Sequence, residues 1–213
     1  MRDVWLIRHA ESVANIGEAT TTPREIPLSP QGLRQADRLA EEFAVRPDLI
    51  VVSPYDRAEQ TAQPLKRRFP NVRVLTLNVQ EFTYLSIERS RGTNSVQRKP
   101  WVDEYWLRAD PHYQDGGQSE SFSEFINRVE DFVRDIESQA FALAAVVTHE
   151  QVIKALIWNS MAFAGQVESK SMAAFHQFMN SFKIPNTAIL PTLLDEGKLY
   201  FGQIDRAEDR IDA

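Results

Sequence analysis

The strongest constraint on this chain is an alternation of short apolar runs with segments of helical period. Val4–Ile7, Leu49–Val52 and Ala144–Val147 contain no polar residue, and Val72–Leu77 is a further strand candidate. A strand apolar on both faces must be covered on both faces, as in parallel sheets flanked by helices. Between the runs the period changes to that of helices. Ser29-Pro30 opens the first, with serine at the cap and proline at the first helical position, and Leu33, Ala36, Leu39, Ala40 and Phe43 share its apolar face. Ala58, Thr61, Ala62, Leu65 and Phe69 line a second. Ser121 and Glu124 form a capping box before a third, whose face is Phe122, Phe125, Ile126, Val129, Phe132, Val133 and Ile136. Further helices are expected near 150–164 and 170–182. A terminal hairpin is expected from Thr187–Leu194 and Leu199–Ile204, joined through Asp-Glu-Gly, and the charged tail from Asp205 is expected to fray. The prediction is an α/β three-layer sandwich, with a mostly parallel central sheet and helices on both faces.

One stretch breaks the rhythm. Phe82 to Gln118 holds Gly92, Pro100, Pro111, Gly116 and Gly117 without a sustained period, and it is too long for an ordinary connection. With 213 residues and roughly 150 per domain, the chain is expected to be a single domain over 1–213 carrying a lid insertion at about 82–118.

Composition removes several function classes. The chain has no cysteine, which excludes thiol nucleophiles, disulfides and cysteine-ligated zinc or iron–sulfur centres. A net charge of −6 argues against a nucleic-acid partner, which would call for a basic footprint. The N-terminal apolar run breaks at Arg8-His9, short of the roughly 7–15 apolar residues of a signal peptide, and no stretch nears the ~20 that span a bilayer. No membrane association and a cytoplasmic location are the expectations.

In open α/β sheets ligands sit beyond the carboxyl ends of the strands. The first strand delivers Arg8 and His9 there, followed by Ser12 and Asn15; the second delivers Ser53 and Arg57; the third, Glu81; the fourth, His149. Two histidines, two arginines and a carboxylate at one edge suit phosphate chemistry. Arginine forks match phosphate oxygens and stay charged. Phosphoryl transfer is catalysed mainly by positioning and charge neutralisation. A histidine with one unprotonated ring nitrogen is a competent nucleophile, and a protonated carboxyl can supply the leaving group's proton. Taken singly, each residue has a plainer reading: a structural histidine, a solvated arginine, a loop carboxylate, or turn residues at Ser12 and Asn15. The convergence of four strand ends is what those plainer readings explain poorly. His112 and His176, in the irregular stretch and within a helix, are left outside the site.

The ordered motifs resemble the histidine phosphatase superfamily, the phosphoglycerate mutase-like group. Leu6-Ile7-Arg8-His9-Ala10-Glu11-Ser12 with Asn15 is similar to its nucleophile motif, and Leu28-Ser29-Pro30-Gln31-Gly32 to the helix start that follows. Ser53-Pro54-Tyr55-Asp56-Arg57 resembles its second arginine motif. Gln80-Glu81, Gly116-Gly117-Gln118-Ser119-Glu120-Ser121 with Arg128, Val147-Thr148-His149 and Pro185-Asn186-Thr187 follow in family order, from about residue 6 to 190. The resemblance implies that His9 is the phosphorylated nucleophile. It implies that Arg8, Arg57, His149 and Asn15 bind the phosphoryl group, that Glu81 is acid and then base, and that neither metal nor cofactor is needed. A small phosphomonoester is the implied partner.

The chain departs from the family pattern in places. Ala10 stands where glycine is usual, and Glu150 follows His149 where glycine is common. A carboxylate there would repel a second anionic group unless it pairs with a cation, so Glu150 is a candidate for shaping substrate choice. The Asn15–Leu28 segment lacks the tryptophan-bearing substrate stretch of the mutases, and the tail is short. A phosphatase is therefore favoured over a mutase-type isomerase. The same motifs would also suit a phosphatase for protein phosphohistidine or phosphoserine, or a non-catalytic phospho-ligand binder. The lid carries Phe82, Tyr84, Trp101, Tyr105, Trp106 and Tyr113. These aromatics either hold a leaving group, with Phe82 and Trp101 as candidates, or anchor the lid to the core.

Overall fold

The computed structural model describes residues 1–161 and 167–205. Six strands form one sheet: β1 (Arg2–Arg8), β2 (Leu49–Val52), β3 (Arg73–Thr76), β4 (Leu143–Thr148), β5 (Ile189–Asp195) and β6 (Lys198–Phe201), in the order β3-β2-β4-β1-β5-β6. β1, β2, β3 and β4 pair in parallel, while β5 lies antiparallel to β1 and β6 antiparallel to β5. The sheet is thus mixed, with its parallel part in the middle and at the β3 edge.

The unbroken apolar runs are explained by the period of two along each strand. Val4, Leu6, Leu49, Val51, Ala144 and Val146 enter one core, with Phe125, Val129 and Phe132 of α5 (Phe122–Glu137), Val152 and Ile153 of α6 (Glu150–Ser160) and Phe175 of α7 (Ser169–Ser181). Ile7, Ile50, Val52, Ala145 and Val147 enter the other, with Leu39, Ala40 and Phe43 of α1 (Pro30–Glu42) and its C-cap, and Ala58, Ala62 and Leu65 of α2 (Asp56–Arg68). Helix, sheet and helix therefore form three layers. No helix among the described residues is long and apolar enough to cross a membrane.

Both caps expected from the sequence are present. The Ser29 side chain accepts from the Gly32 amide, and Ser121 and Glu124 bond reciprocally. Leu33, expected on the buried face of α1, is 51% exposed. Gly32 takes that side instead, and a Cβ there would lie 1.9 Å from the Glu11 carbonyl oxygen, so the helix seats closely on the segment after β1. The terminal hairpin turns through Glu196 and Gly197, both at positive φ, as a two-residue primed turn requires.

The stretch expected to be irregular is about half helical. It contains a single turn, α3 (Ile87–Ser90), and a 14-residue helix, α4 (Ser95–Arg108). Asn94 accepts from the Gln97 amide while the Gln97 side chain returns to the Asn94 amide, and Pro100 is carried inside the helix. The expected 150–164 helix ends at Ser160; residues 162–166 and the tail beyond Asp205 lie outside the described residues. Asp205 itself bridges to Ile189.

Candidate active site

The parallel register sets the C-terminal ends of β1, β2 and β4 side by side: Arg8 lies opposite Thr148, and Val52 opposite Val147. His9 continues this ladder, its amide donating to the Thr148 carbonyl at 2.9 Å, and the Ser53 amide donates to that of Val147 at 3.0 Å. The chain then turns. The Ala10 amide donates to Thr61 Oγ1 of α2 at 2.9 Å, and the Asn186 side-chain amide donates to the His9 carbonyl at 2.8 Å. His9 is therefore fixed by backbone bonds on both sides.

Its tautomer follows from one contact. His9 Nδ1 lies 2.7 Å from the Ala10 carbonyl oxygen. A carbonyl can only accept, so Nδ1 carries the hydrogen and Nε2 has the lone pair. Arg57 Nε donates to that Nε2 at 3.3 Å. Burial, with Arg57 beside it, holds the His9 imidazolium pKa well below the ordinary 6.5, so the ring is neutral at pH 7. His149 behaves likewise for the same reasons: it is fully buried and its pKa is lowered well below the ordinary value. The two rings are 5.1 Å apart, and His149 Nε2 shares a 2.7 Å hydrogen bond with Ser53 Oγ.

Arg57 sits in the first turn of α2. It is nearly fully buried, its Nη1 donates to the Pro23 carbonyl at 2.8 Å, and its Cζ lies 5.1 Å over the Tyr55 ring. Thr61, one turn on, returns its hydroxyl to the Arg57 carbonyl. Glu81 arrives on the segment after β3. Thr148 Oγ1 holds that segment at the Val79 carbonyl, and Arg128 holds it at those of Asn78 and Gln80 while pairing with Glu120 through two bonds of 2.7 and 2.8 Å. Glu81 Oε1 accepts from the Gln151 amide in the first turn of α6 at 3.1 Å. Burial raises the Glu81 pKa above its ordinary 4.5, and Arg57 and Arg8 only partly oppose this.

Two nitrogens of the cluster, Arg8 Nε and His149 Nδ1, are buried with no hydrogen-bond partner among the described residues. Two unpaired nitrogens beside a neutral histidine with a lone pair on Nε2 suit a tetrahedral oxyanion. His9, Glu81 and His149 each offer a ligand atom within 4.8 Å of the others, a donor set a divalent cation could use. The Arg57 guanidinium bonded to His9 Nε2 sets a fixed positive charge against a cation in that place.

Residues 4–189 match the histidine phosphatase superfamily (branch 1). The chain belongs to this superfamily. It is a phosphatase. It is 30% identical to the adenosylcobalamin/alpha-ribazole phosphatase of Escherichia coli K12 over 161 residues, covering 72% of this chain and 76% of that protein. Among solved structures it superposes on the alpha-ribazole phosphatase of Shigella flexneri with a TM-score of 0.72 at 21% identity, covering 96% of each chain. It also superposes on a phosphoserine phosphatase of Entamoeba histolytica, in complex with 3-phosphoglyceric acid, with a TM-score of 0.70 at 20% identity, covering 97% of this chain and 98% of that one.

The other residues considered from the sequence fall in different places. Asn15 is exposed, and its Oδ1 accepts from both the amide and the hydroxyl of Ser12 at 2.9 Å, a local turn. Glu150 pairs with Arg8 and Lys154. Phe82 is buried and stacks on Phe125 at 4.4 Å, within a cluster that includes Tyr84, Tyr105 and Trp106. Trp101 lies under the Arg89 guanidinium at 4.7 Å. His176 stacks on Trp106 at 4.5 Å. Thr61, read from the sequence only as part of a helix face, and Gln151 and Lys154, not read at all, carry positioning bonds; Thr61 and Lys154 lie among apolar residues of helices, where polar groups give little signal.

Proposed function

We propose that the chain hydrolyses small phosphomonoesters without a metal, through a phosphohistidine at His9. The carrying observation is the 2.7 Å contact of His9 Nδ1 with the Ala10 carbonyl, which leaves Nε2 as the lone-pair nitrogen. In the first step His9 Nε2 attacks phosphorus, the N–P bond forms and the ester P–O bond breaks. Glu81, whose pKa burial raises, gives its proton to the departing oxygen. In the second step water attacks phosphorus as Glu81 carboxylate takes its proton. The N–P bond breaks, releasing inorganic phosphate and restoring both neutral His9 and protonated Glu81. Arg8 and Arg57 neutralise the transferring oxygens and neutral His149 offers them its unpaired Nδ1 as a hydrogen-bond donor, with Asn15 a further candidate for binding them.

A cavity of about 530 Å³, lined by Thr22, Arg24, Tyr55, Gln80, Thr83 and Glu120 among others, adjoins this cluster through Tyr55 and Gln80. Its size and mixed charge suit a small polar leaving group. The alpha-ribazole and phosphoserine phosphatases similar to this chain carry names of that kind. Phe82 lies in the hydrophobic core, which favours anchoring over substrate contact for the lid aromatics. A panel of phosphomonoesters, scored for phosphate release against positional transfer on 3-phosphoglycerate, tests the proposal. Phosphate release from several small monoesters is expected, and transfer without release would establish a mutase-type isomerase instead.

A further inference from the structure

Glu150 stands where the superfamily commonly has glycine, and its surroundings give it a defined task. Its Oε2 lies 3.0 Å from Arg8 Nη1, and its Oε1 lies 2.7 Å from Lys154 Nζ and accepts from the Ile184 amide at 3.3 Å. Lys154 is almost fully buried and also donates to the carbonyls of Met179, at 2.7 Å, and Phe182 at the end of α7. Arg8 Nη1 additionally donates to the Ile184 carbonyl. Arg8 is thus gripped at Nη1 by acceptors on the 150 and 184 segments, while its Nε is buried and unpaired. A long arginine side chain has many rotamers, and a bidentate fork binds phosphate well only if it is held in place beforehand. Lys154 offsets the Glu150 charge, so the trio keeps a net positive charge and the carboxylate is not a free anion facing the ligand.

We propose that Glu150 is a positioning residue that holds the Arg8 guanidinium at Nη1 and so presents its Nε–H edge to the phosphoryl oxygens. This rests on the phosphatase site described above. It replaces the expectation that Glu150 selects substrates by repulsion.

The test is a double-mutant cycle on Arg8→Ala and Glu150→Gln, reading inorganic phosphate affinity by calorimetry and kcat and KM with p-nitrophenyl phosphate. Glu150→Gln keeps an acceptor for Lys154 and for the Ile184 amide but removes the anion facing Arg8. It should weaken phosphate by about tenfold, the loss of one charge-assisted hydrogen bond, with KM raised more than kcat is lowered. In the Arg8→Ala background the same change should have no further effect. Glu150→Gly removes the same carboxylate and serves if the glutamine variant fails to fold. Losses that add, or phosphate that binds more tightly without the carboxylate, would overturn the positioning role. Unchanged phosphate affinity in Arg8→Ala alone would instead count against the phosphate site itself.

Discussion

The strand-end floor of the site and the 82–118 segment are held by opposite means. On the floor, His9, Ser53 and His149 sit where strands β1, β2 and β4 end, and backbone bonds such as His9 to Thr148 and Ser53 to Val147 fix their places. In the 82–118 segment the fixing is hydrophobic. Phe82, Tyr84, Tyr105 and Trp106 pack on one another and on Phe122 and Phe125, while the charged residues Arg89, Lys99, Asp103 and Arg108 pair at the surface. The strand-end cluster buries polar groups, and the 82–118 segment buries apolar ones. Damage to the first should therefore show in rate, and damage to the second in stability.

The largest effect separating them is expected at His9, the proposed nucleophile. His9→Ala should lower kcat by on the order of 10⁴-fold or more with the thermal midpoint little changed, as measured by steady-state kinetics and calorimetry. Glu81→Gln comes next, at about 10²-fold or more on alkyl phosphates and less on p-nitrophenyl phosphate, whose leaving group needs no proton. A pH profile sharpens this prediction. The proposed mechanism needs neutral His9 and protonated Glu81; the His9 pKa is lowered and that of Glu81 raised, so kcat/KM should fall on the acid side as His9 gains a proton and on the alkaline side as Glu81 loses one. With alkyl phosphates the alkaline limb should vanish in Glu81→Gln, and its persistence would remove Glu81 from the acid role.

Trp106→Ala tests the other region. Trp106 is buried against Phe82, Tyr105, Phe122 and His176, so truncation should cost about 3–5 kcal/mol in denaturant unfolding, with kcat of the folded fraction within a few-fold of the parent. A large loss of kcat at full stability would make the insertion part of the catalytic apparatus. The smallest effect is expected from chelation: the arginines supply the positive charge, so EDTA should leave turnover unchanged. Loss restored by a divalent ion would give the His9–Glu81–His149 donor set a resident metal.

Legibility in the sequence follows the same division. The strand-end residues can be read because each apolar run is continuous and stops at a polar residue, as at Ile7-Arg8-His9 and Val147-Thr148-His149. The two caps at Ser29 and Ser121 are equally local. Helix α4 is not legible. Pro100 and the flanking glycines suggest a break, and its buried Tyr105 and Trp106 make no repeating face, because its stability comes from aromatic contacts distant in sequence. The Asn94–Gln97 capping box is the one local signal it offers. Periodicity misplaces Leu33 because it ranks apolar residues, whereas a 1.9 Å approach to Glu11 admits only glycine at that helix's contact. Glu150 can be flagged by its neighbour His149, but its partners Arg8 and Lys154 become visible only once β1 and α6 are set together.

The measurement that bears most directly on the central claim is trapping of the phosphoenzyme. Rapid quenching during turnover of a labelled phosphomonoester should give a protein-bound phosphate that is labile to acid, stable to base, mapped to His9 and absent from His9→Ala. Turnover with no such species under single-turnover conditions, or the same label in His9→Ala, would contradict the account.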